Sequence, residues 1–542
     1  MTDRTLFHNA RFLSMDPSDR EYAWVMVQDG RFEAMGEQGH GTEHLTEGDD
    51  VVDLRGAVVL PGFVEAHGHP TTEMGILSPQ TLDLRASTCG SAREVMEVLS
   101  DAVAAAGPSD WVVAFGWDPL LLPDLPEMSG ELLTELSPTV PLSVLHQSIH
   151  VSWANRAALD RLGLTAQTPD PPGSSYERHL DGTPTGKALE IPATLVLMGE
   201  SAQPSPEQFD DYLANRLWHM ARRGVTTTGD LAFDPAHEQH MVDHFAERGG
   251  PVRVRSYEVT GARAPVDPVP TDSTLYRQVG VKMWKDGSPW VGNIETSFGY
   301  RESQATRALG LHAGHHGCSN YSHEQLREIC EAYYPKGWQI ACHVHGDIAV
   351  DDVLDVFEQI DREHPRSGYP KFRIEHAGAM TESQVRRAHT LGVSISYFAA
   401  HIYYYGEVLR DFFGERADSW VAAGFASKCG MPFSLHNDPP VTAEDPLLNI
   451  RTAVTRLTRA GRVMGPEHAV SVREALRAQT IYAAQQLLSD HEVGSIETGK
   501  LADMVVLEDD PLTVAPERIN DIAVLGTWLG GQRAFDASST RH

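Results

Sequence analysis

The feature that most constrains this chain is a regular alternation through its middle, in which short apolar strands are separated by stretches of helical periodicity. Eight strand candidates follow one another at Gly62–Ala66, Gly224–Thr228, Val252–Glu258, Gly280–Trp284, Gln339–Cys342, Phe372–Glu375, Gly392–Tyr397 and Met431–Leu435. Helical patterns fall between them, including Glu207–Arg223, His323–Tyr334, Asp347–Ile360 and Pro446–Arg459, and another, Ser471–Leu487, follows the last strand. Strands alternating with helices argue for a parallel sheet with helices packed against it. Eight such units predict an α/β fold, a (β/α)8 TIM-like barrel.

Both ends read instead as β structure. Thr5–Phe12, Ala23–Gln28, Arg31–Met35 and Val51–Leu54 are predicted strands, with Asp29-Gly30 as a hairpin turn. Ala502–Leu507, Ile522–Leu529 and Gln532–Phe535 form a C-terminal set around the turn Gly530-Gly531. One small β domain is therefore expected from residues 1–60 together with 490–542, around a barrel spanning 61–489. The interval after the first barrel strand is too long for a single helix. Residues from about 71 to 205 are expected to form an insertion, a lid or subdomain over the barrel mouth.

Bulk properties narrow the class of function. The net charge of −31 repels nucleic acid and anionic membrane surfaces. No apolar run approaches the roughly 20 residues that span a bilayer. The start, Met1 to His8, lacks a charged-then-apolar leader, so a cytoplasmic location is expected. The five cysteines are scattered without a CxxC pair, which argues against a disulfide framework or a zinc ribbon. The expected partner is a small-molecule substrate, and the expected assembly is a homo-oligomer, a dimer in the simplest case.

The chemistry concentrates at the ends of the predicted strands, where barrel enzymes place their active sites. An apolar run from Ala57 to Ala66 leads into His67-Gly68-His69. Residues two apart on a strand point the same way, so both imidazoles can reach one metal ion. Strand 4 carries Lys282, strand 5 ends at His343, strand 6 at His376 and strand 8 at Asp438. Nitrogen and oxygen ligands of this kind suit zinc, with manganese, iron, cobalt or nickel as alternatives.

These segments resemble the amidohydrolase superfamily, in particular the amidohydrolase family 3 metal-dependent hydrolases that include N-substituted formamide deformylases. The resemblance runs over nearly the whole chain. It rests on Leu60-Pro61-Gly62-Phe63-Val64-Glu65-Ala66-His67-Gly68-His69, on His343 to Asp347, on Ile374-Glu375-His376-Ala377, and on Gly494-Ser495-Ile496-Glu497-Thr498-Gly499-Lys500-Leu501-Ala502-Asp503. The last of these looks like the family's return into a β-sandwich domain. The resemblance implies that His67, His69 and Asp438 hold one divalent ion and that His343 and His376 hold a second. It also implies a carbamylated lysine bridging the two. Lys282 is the best match for that bridge and Lys285 the runner-up, which strand alternation turns to the opposite side.

Hydrolysis of a C–N bond, of the amide or N-substituted formamide type, is the expected reaction, with Asp438 as general base and then general acid. His150, His345, Trp117 and Trp284 are candidate substrate contacts, and His436 is a weaker one. Trp153, Trp290 and Tyr403-Tyr404-Tyr405 can add to an aromatic wall for an apolar or aromatic substrate. His312, His315, His316, His401 and His491 are expected on the surface or in loops, and Cys342 is expected to point away from the metals. The alternatives are a mononuclear deaminase acting on a heterocycle and a catalytically dead scaffold on the same fold.

Overall fold

A computed structural model describes residues 4–538, apart from positions 87, 108, 172 and 200–204. Its centre is one parallel sheet of eight strands: β1 (Phe63–Gly68), β2 (Val225–Phe233), β3 (Arg253–Val259), β4 (Tyr276–Trp284), β5 (Gln339–Val344), β6 (Phe372–His376), β7 (Val393–Phe398) and β8 (Phe433–His436). Each strand pairs with its neighbour in sequence. Every residue of β5 and β7 is buried, which is why these segments read as near-continuous apolar runs.

β8 packs beside β1 and brings the sheet round into a barrel. Gln479 stitches this seam. Its backbone carbonyl accepts the Val64 N–H at 2.8 Å, and its side-chain amide donates to the Leu435 carbonyl. The cost falls on the helix expected over 471–487, which is two helices, Val472–Ala478 and Ile481–Gln486. A carbonyl turned toward β1 cannot also serve the helical ladder.

The outer helices form for ordinary reasons. Asp347–Glu363 buries Val350, Val353, Leu354, Phe357 and Ile360, a single stripe at helical spacing. His323–Tyr333 begins at a capping box made by Ser322 and Gln325.

The run from Ala57 to Ala66 is two strands rather than one. Val58–Pro61 belongs to the terminal domain, antiparallel to Met504–Leu507, and β1 belongs to the barrel. Gly62 lies between them, where a Cβ would come within 2.1 Å of the Thr226 hydroxyl, so only glycine lets the chain pass.

The terminal domain is an eight-stranded sheet that joins both ends of the chain. Its order is Gln532–Asp536, Val524–Leu529, Met504–Leu507, Val58–Pro61, Arg4–Leu13, Glu21–Gln28 and Arg31–Gly36, with Asp50–Asp53 also beside Arg4–Leu13. Phe7 and Trp528 sit three strands apart in this order, about 14 Å in a flat sheet. Their ring centroids are 6.0 Å apart. The sheet therefore folds over a core containing Phe12, Val25, Phe32, Val59 and Met504, which is the sandwich flanking the barrel.

The insertion carries a sheet of its own. Thr81–Asp83, Val112–Trp117 and Leu142–His146 run parallel. Val151–Ala154, Pro184–Leu189 and Ser175–Arg178 continue the sheet antiparallel. It sits against the C-terminal end of the barrel. The Gln147 amide donates to the Val441 carbonyl at 3.0 Å, Arg85 to the Pro440 carbonyl at 3.3 Å, and the Tyr405 hydroxyl to Asp118 at 2.7 Å. Among the described residues, no helix is long and apolar enough to cross a membrane.

Candidate metal centre

The C-terminal ends of five barrel strands bring the predicted ligands together. His67 lies near the end of β1, and His69 sits just past it, ahead of the helix Pro70–Ile76. Their rings are 5.2 Å apart, and Asp438, two residues beyond β8, reaches both. Asp438 Oδ1 lies 3.0 Å from His69 Nε2 and 3.4 Å from His67 Nε2. His343 and His376 face each other from β5 and β6 with ring centroids 4.3 Å apart. Lys282 enters from β4, with Nζ 3.3 Å from His67 Nε2 and 5.3 Å from the centre of the Trp284 ring. Lys285 points elsewhere, donating to the Tyr321 carbonyl at 2.7 Å and pairing with Asp352.

At this end of the barrel, among the described residues, three groups of side chains hold potential ligand atoms within 4.8 Å of one another: His67, His69 and Asp438; His343, His345 and His376; and His67, His376 and His436. The donor chemistry fits a divalent ion. His69 Nδ1, His345 Nδ1 and His376 Nε2 are buried with no hydrogen-bond partner in the described structure. Burial, reinforced by neighbouring cations and histidines, holds His67, His343, His376 and His436 well below the usual imidazole range and brings His345 down to about 3. These rings are therefore neutral near pH 7, with a nitrogen lone pair available to a metal. Burial also pushes the Lys282 ammonium down to about 8, against the pull of Glu375 and Asp438.

Partners behind the ligands set their orientation. Glu375, one residue before His376, accepts from His67 Nδ1 at 2.6 Å, which leaves His67 Nε2 facing the centre. Arg373 grips the same carboxylate with contacts of 2.7 and 3.0 Å. Asp286 accepts from the backbone N–H groups of His345 and Gly346 at 2.9 and 2.8 Å, and burial lifts its carboxyl to about 8. The backbone is strained here as well. His376, Ala377 and Asp438 have φ values of 72°, 50° and 53°, a region that side-chain-bearing residues seldom occupy.

The insertion contributes His150. Its Nδ1 lies 2.7 Å from Glu190 Oε2, and its ring is 5.5 Å from that of His343. Burial pulls the His150 imidazole down, but the Glu190 carboxylate outweighs it, so the ring is held toward its protonated form. Asn293 donates to the other Glu190 oxygen at 2.5 Å. Glu190 itself has a φ of 67°. A Cβ at Gly287 would come within 2.8 Å of this carboxylate, so that glycine makes room for it.

Other candidates separate clearly. His345 stacks on His376 at 4.9 Å and on His401 at 5.3 Å. His401 was expected on the surface or in a loop. It is buried on the helix Ala400–Phe413, a segment apolar enough to pack on nearly every side. His436 is more central than its sequence setting suggests, with Nε2 3.1 Å from His376 Nδ1 and Nδ1 2.8 Å from the Ser396 hydroxyl. His315 and His316 bind backbone carbonyls of Gly292 and Thr296. Cys342 is buried in the barrel's hydrophobic core. Trp117 belongs to the insertion's core and also lines a cavity there, while Trp284 remains beside Lys282. The sequence reading assigns no role to Glu375, Glu190 or Asp286. Only the adjacency of Glu375 to His376 offered a signal.

The Amidohydrolase family matches residues 50–535. The chain is 27% identical to an N-substituted formamide deformylase of Arthrobacter pascens, over 98% of each. It is 27% identical to the protein LONG AFTER FAR-RED 3 of Arabidopsis thaliana, over 94% of this chain and 88% of that one. Among solved structures, an uncharacterized metal-dependent hydrolase from Pyrococcus horikoshii superposes with a TM-score of 0.73 at 23% identity. That superposition covers 95% of this chain and 99% of the other.

Proposed function

The chain belongs to the amidohydrolase family, and from that premise we propose that it hydrolyses the C–N bond of a small apolar or aromatic amide, of the N-substituted formamide type, using two divalent ions. The observation that carries this reading is the convergence of His67, His69, Lys282, His343, His376 and Asp438 at one end of one barrel. The similarity to the N-substituted formamide deformylase of A. pascens supports the substrate type.

In this reading His67, His69 and Asp438 hold one ion, and His343 and His376 hold the second. Zinc suits such a set of imidazoles and carboxylate. Lys282, once carbamylated, would supply an anionic carboxylate to the same ions. Carbamylation joins CO2 to a neutral amine and releases a proton, and a buried lysine brought down to about 8 presents more neutral amine than an exposed one.

Divalent ions held there would supply Lewis acidity, toward a water and toward a carbonyl oxygen. The chain's own groups do the rest. Asp438, within 3.0 Å of His69, is placed to take the proton of the attacking water and pass it to the leaving nitrogen. His150, oriented by Glu190, is placed to donate to the carbonyl oxygen as charge develops on it. Glu375 and Arg373 keep His67 in the tautomer that points Nε2 inward.

Elemental analysis of the purified protein is the direct test. Close to two divalent ions per chain are expected, with zinc predominating, and chelation is expected to abolish hydrolysis of formamides and amides. One ion in fully active protein removes the binuclear reading and favours a mononuclear deaminase.

A further inference from the structure

His436 makes two contacts that the proposed reaction does not use. It is the last residue of β8, fully buried, with its ring stacked on that of His67 at 4.7 Å. Its Nε2 is 3.1 Å from His376 Nδ1, and its Nδ1 is 2.8 Å from the Ser396 hydroxyl on β7. The contacts continue away from the metal centre. Ser396 Oγ is 2.8 Å from Ser434 Oγ, and Ser434 Oγ is 2.7 Å from Gln486 Oε1. Gln486 Nε2 in turn donates to the Ile395 carbonyl at 2.7 Å. His376, His436, Ser396, Ser434 and Gln486 are all buried, so each polar hydrogen has to find its acceptor within this chain of contacts.

The position of every proton follows from the far end. A backbone carbonyl only accepts, so the Gln486 nitrogen faces Ile395 and its oxygen faces Ser434. That amide oxygen also only accepts, so Ser434 gives it the single hydroxyl proton it has. The bond between the two hydroxyls is then donated by Ser396, which leaves Ser396 able only to accept from His436. His436 therefore carries its proton on Nδ1, and its Nε2 accepts from His376 Nδ1. The reverse arrangement would place the His376 proton on Nε2, which is buried with no acceptor in the described structure. His436 lies among ligand-capable atoms with His67 and His376, but both of its nitrogens are engaged in these bonds.

We propose that His436 is a positioning residue for His376. By accepting the Nδ1 proton it leaves the Nε2 lone pair of His376 free for a divalent ion, and Ser396, Ser434 and Gln486 fix the direction of that bond. The proposal rests on the reading above in which His376 holds the second ion. It gives the two ions different support, since His67 is backed by the Glu375 carboxylate and His376 by a neutral imidazole.

The test titrates Zn2+ into the wild type and its variants in competition with a chromophoric chelator, so that the two ions are resolved. His436→Phe keeps a ring beside His67 and removes the acceptor. One ion is expected to bind about 10- to 100-fold more weakly, and the other within about threefold of the wild type. His436→Gln, whose amide oxygen can stand in for Nε2, is expected to recover at least about fivefold of that loss. A merely structural role would weaken both ions together. Unchanged affinities, or an equal weakening of both, overturn the proposal. If His436→Phe does not fold, Ser396→Ala removes the next acceptor and is expected to weaken the same ion at least about threefold, with unchanged affinity again overturning it. If the wild type does not take up two ions, the binuclear reading has failed, and the protonation of His376 is read directly by NMR of histidine-labelled protein, with His376→Gln assigning the signal. A proton on Nδ1 then supports the proposal, and a proton on Nε2 overturns it.

Discussion

The Glu375 carboxylate lies 2.6 Å from His67 Nδ1, joining residues that are 308 positions apart in the chain. This bond sets which imidazole nitrogen can face a metal, and Arg373 fixes the carboxylate in turn. Glu375→Gln keeps an acceptor beside His67 but removes the charge that raises its basicity. Metal affinity, measured by competition with a chelator, is expected to fall about 10- to 100-fold, the usual effect of losing such a partner. Arg373 also loses its buried counter-ion, so the melting temperature has to be followed in parallel. Unchanged affinity in a folded variant shows that Glu375 only fills space.

The two lysines near the end of β4 are expected to behave oppositely. Lys282 faces His67, whereas Lys285 pairs with Asp352. Lys282→Ala is expected to lose metal and activity, and short carboxylic acids are expected to restore part of both by standing in for the bridge. Lys285→Ala is expected to keep its metal and lose some stability. Elemental analysis and thermal melting of both variants, with and without acetate, separate the outcomes. Full metal content in Lys282→Ala dismisses the bridge.

The eight barrel strands were legible because short segments rich in apolar and β-branched residues alternate with helical patterns, and the ligands were legible because they sit where those segments end. What the sequence hid depends on contacts between distant segments. The helical pattern over 471–487 contains nothing that announces the break, which arises because Gln479 serves β1 and β8. The insertion's strands at Ser175–Arg178 and Pro184–Leu189 are short and largely polar, and they exist as strands through antiparallel pairing. His401 looked like a loop residue because its importance comes from stacking on Phe398 and His345. Glu190 is one of many carboxylates, and only the fold places it against His150, 40 residues earlier.

A second ionic cluster, away from the metal centre, gives a pH prediction. Asp352 binds both Lys285 and His323. The hydrogen bond to Asp352 raises the His323 pKa, while Lys285 and His323 together outweigh burial and hold the Asp352 carboxyl below its ordinary value. The histidine part of this stabilisation is complete below the ordinary imidazole value and is lost as pH rises through the raised one. The carboxylate part is present above the ordinary carboxylate value and is lost as pH falls through the lowered one. His323 is partly exposed, so its share is small, within about 1 kcal/mol. Asp352→Asn is expected to return His323 to an ordinary titration, seen by NMR, and to flatten the decline in melting temperature above neutral pH. An unshifted His323 titration in the variant shows that the contact is not formed in solution.

Asp438 is the residue on which the proposed reaction turns. It reaches His69 and His67 with one oxygen, and its other oxygen lies 4.0 Å from His376 Nδ1. Asp438→Asn keeps the size of the side chain and removes its capacity to accept a proton. Turnover is expected to fall at least about a hundredfold, in line with the usual contribution of general acid–base groups. KM is expected to change less, because the variant alters no aromatic or apolar side chain that could contact the substrate. A weakened metal ligand can lower turnover by another route, so metal content has to be measured in the same sample and the comparison made at equal occupancy. If the variant keeps its metal and near-normal turnover, Asp438 is not the proton shuttle. The role then passes to His345 or His150, the imidazoles whose rings lie 5.0 and 5.5 Å from that of His343.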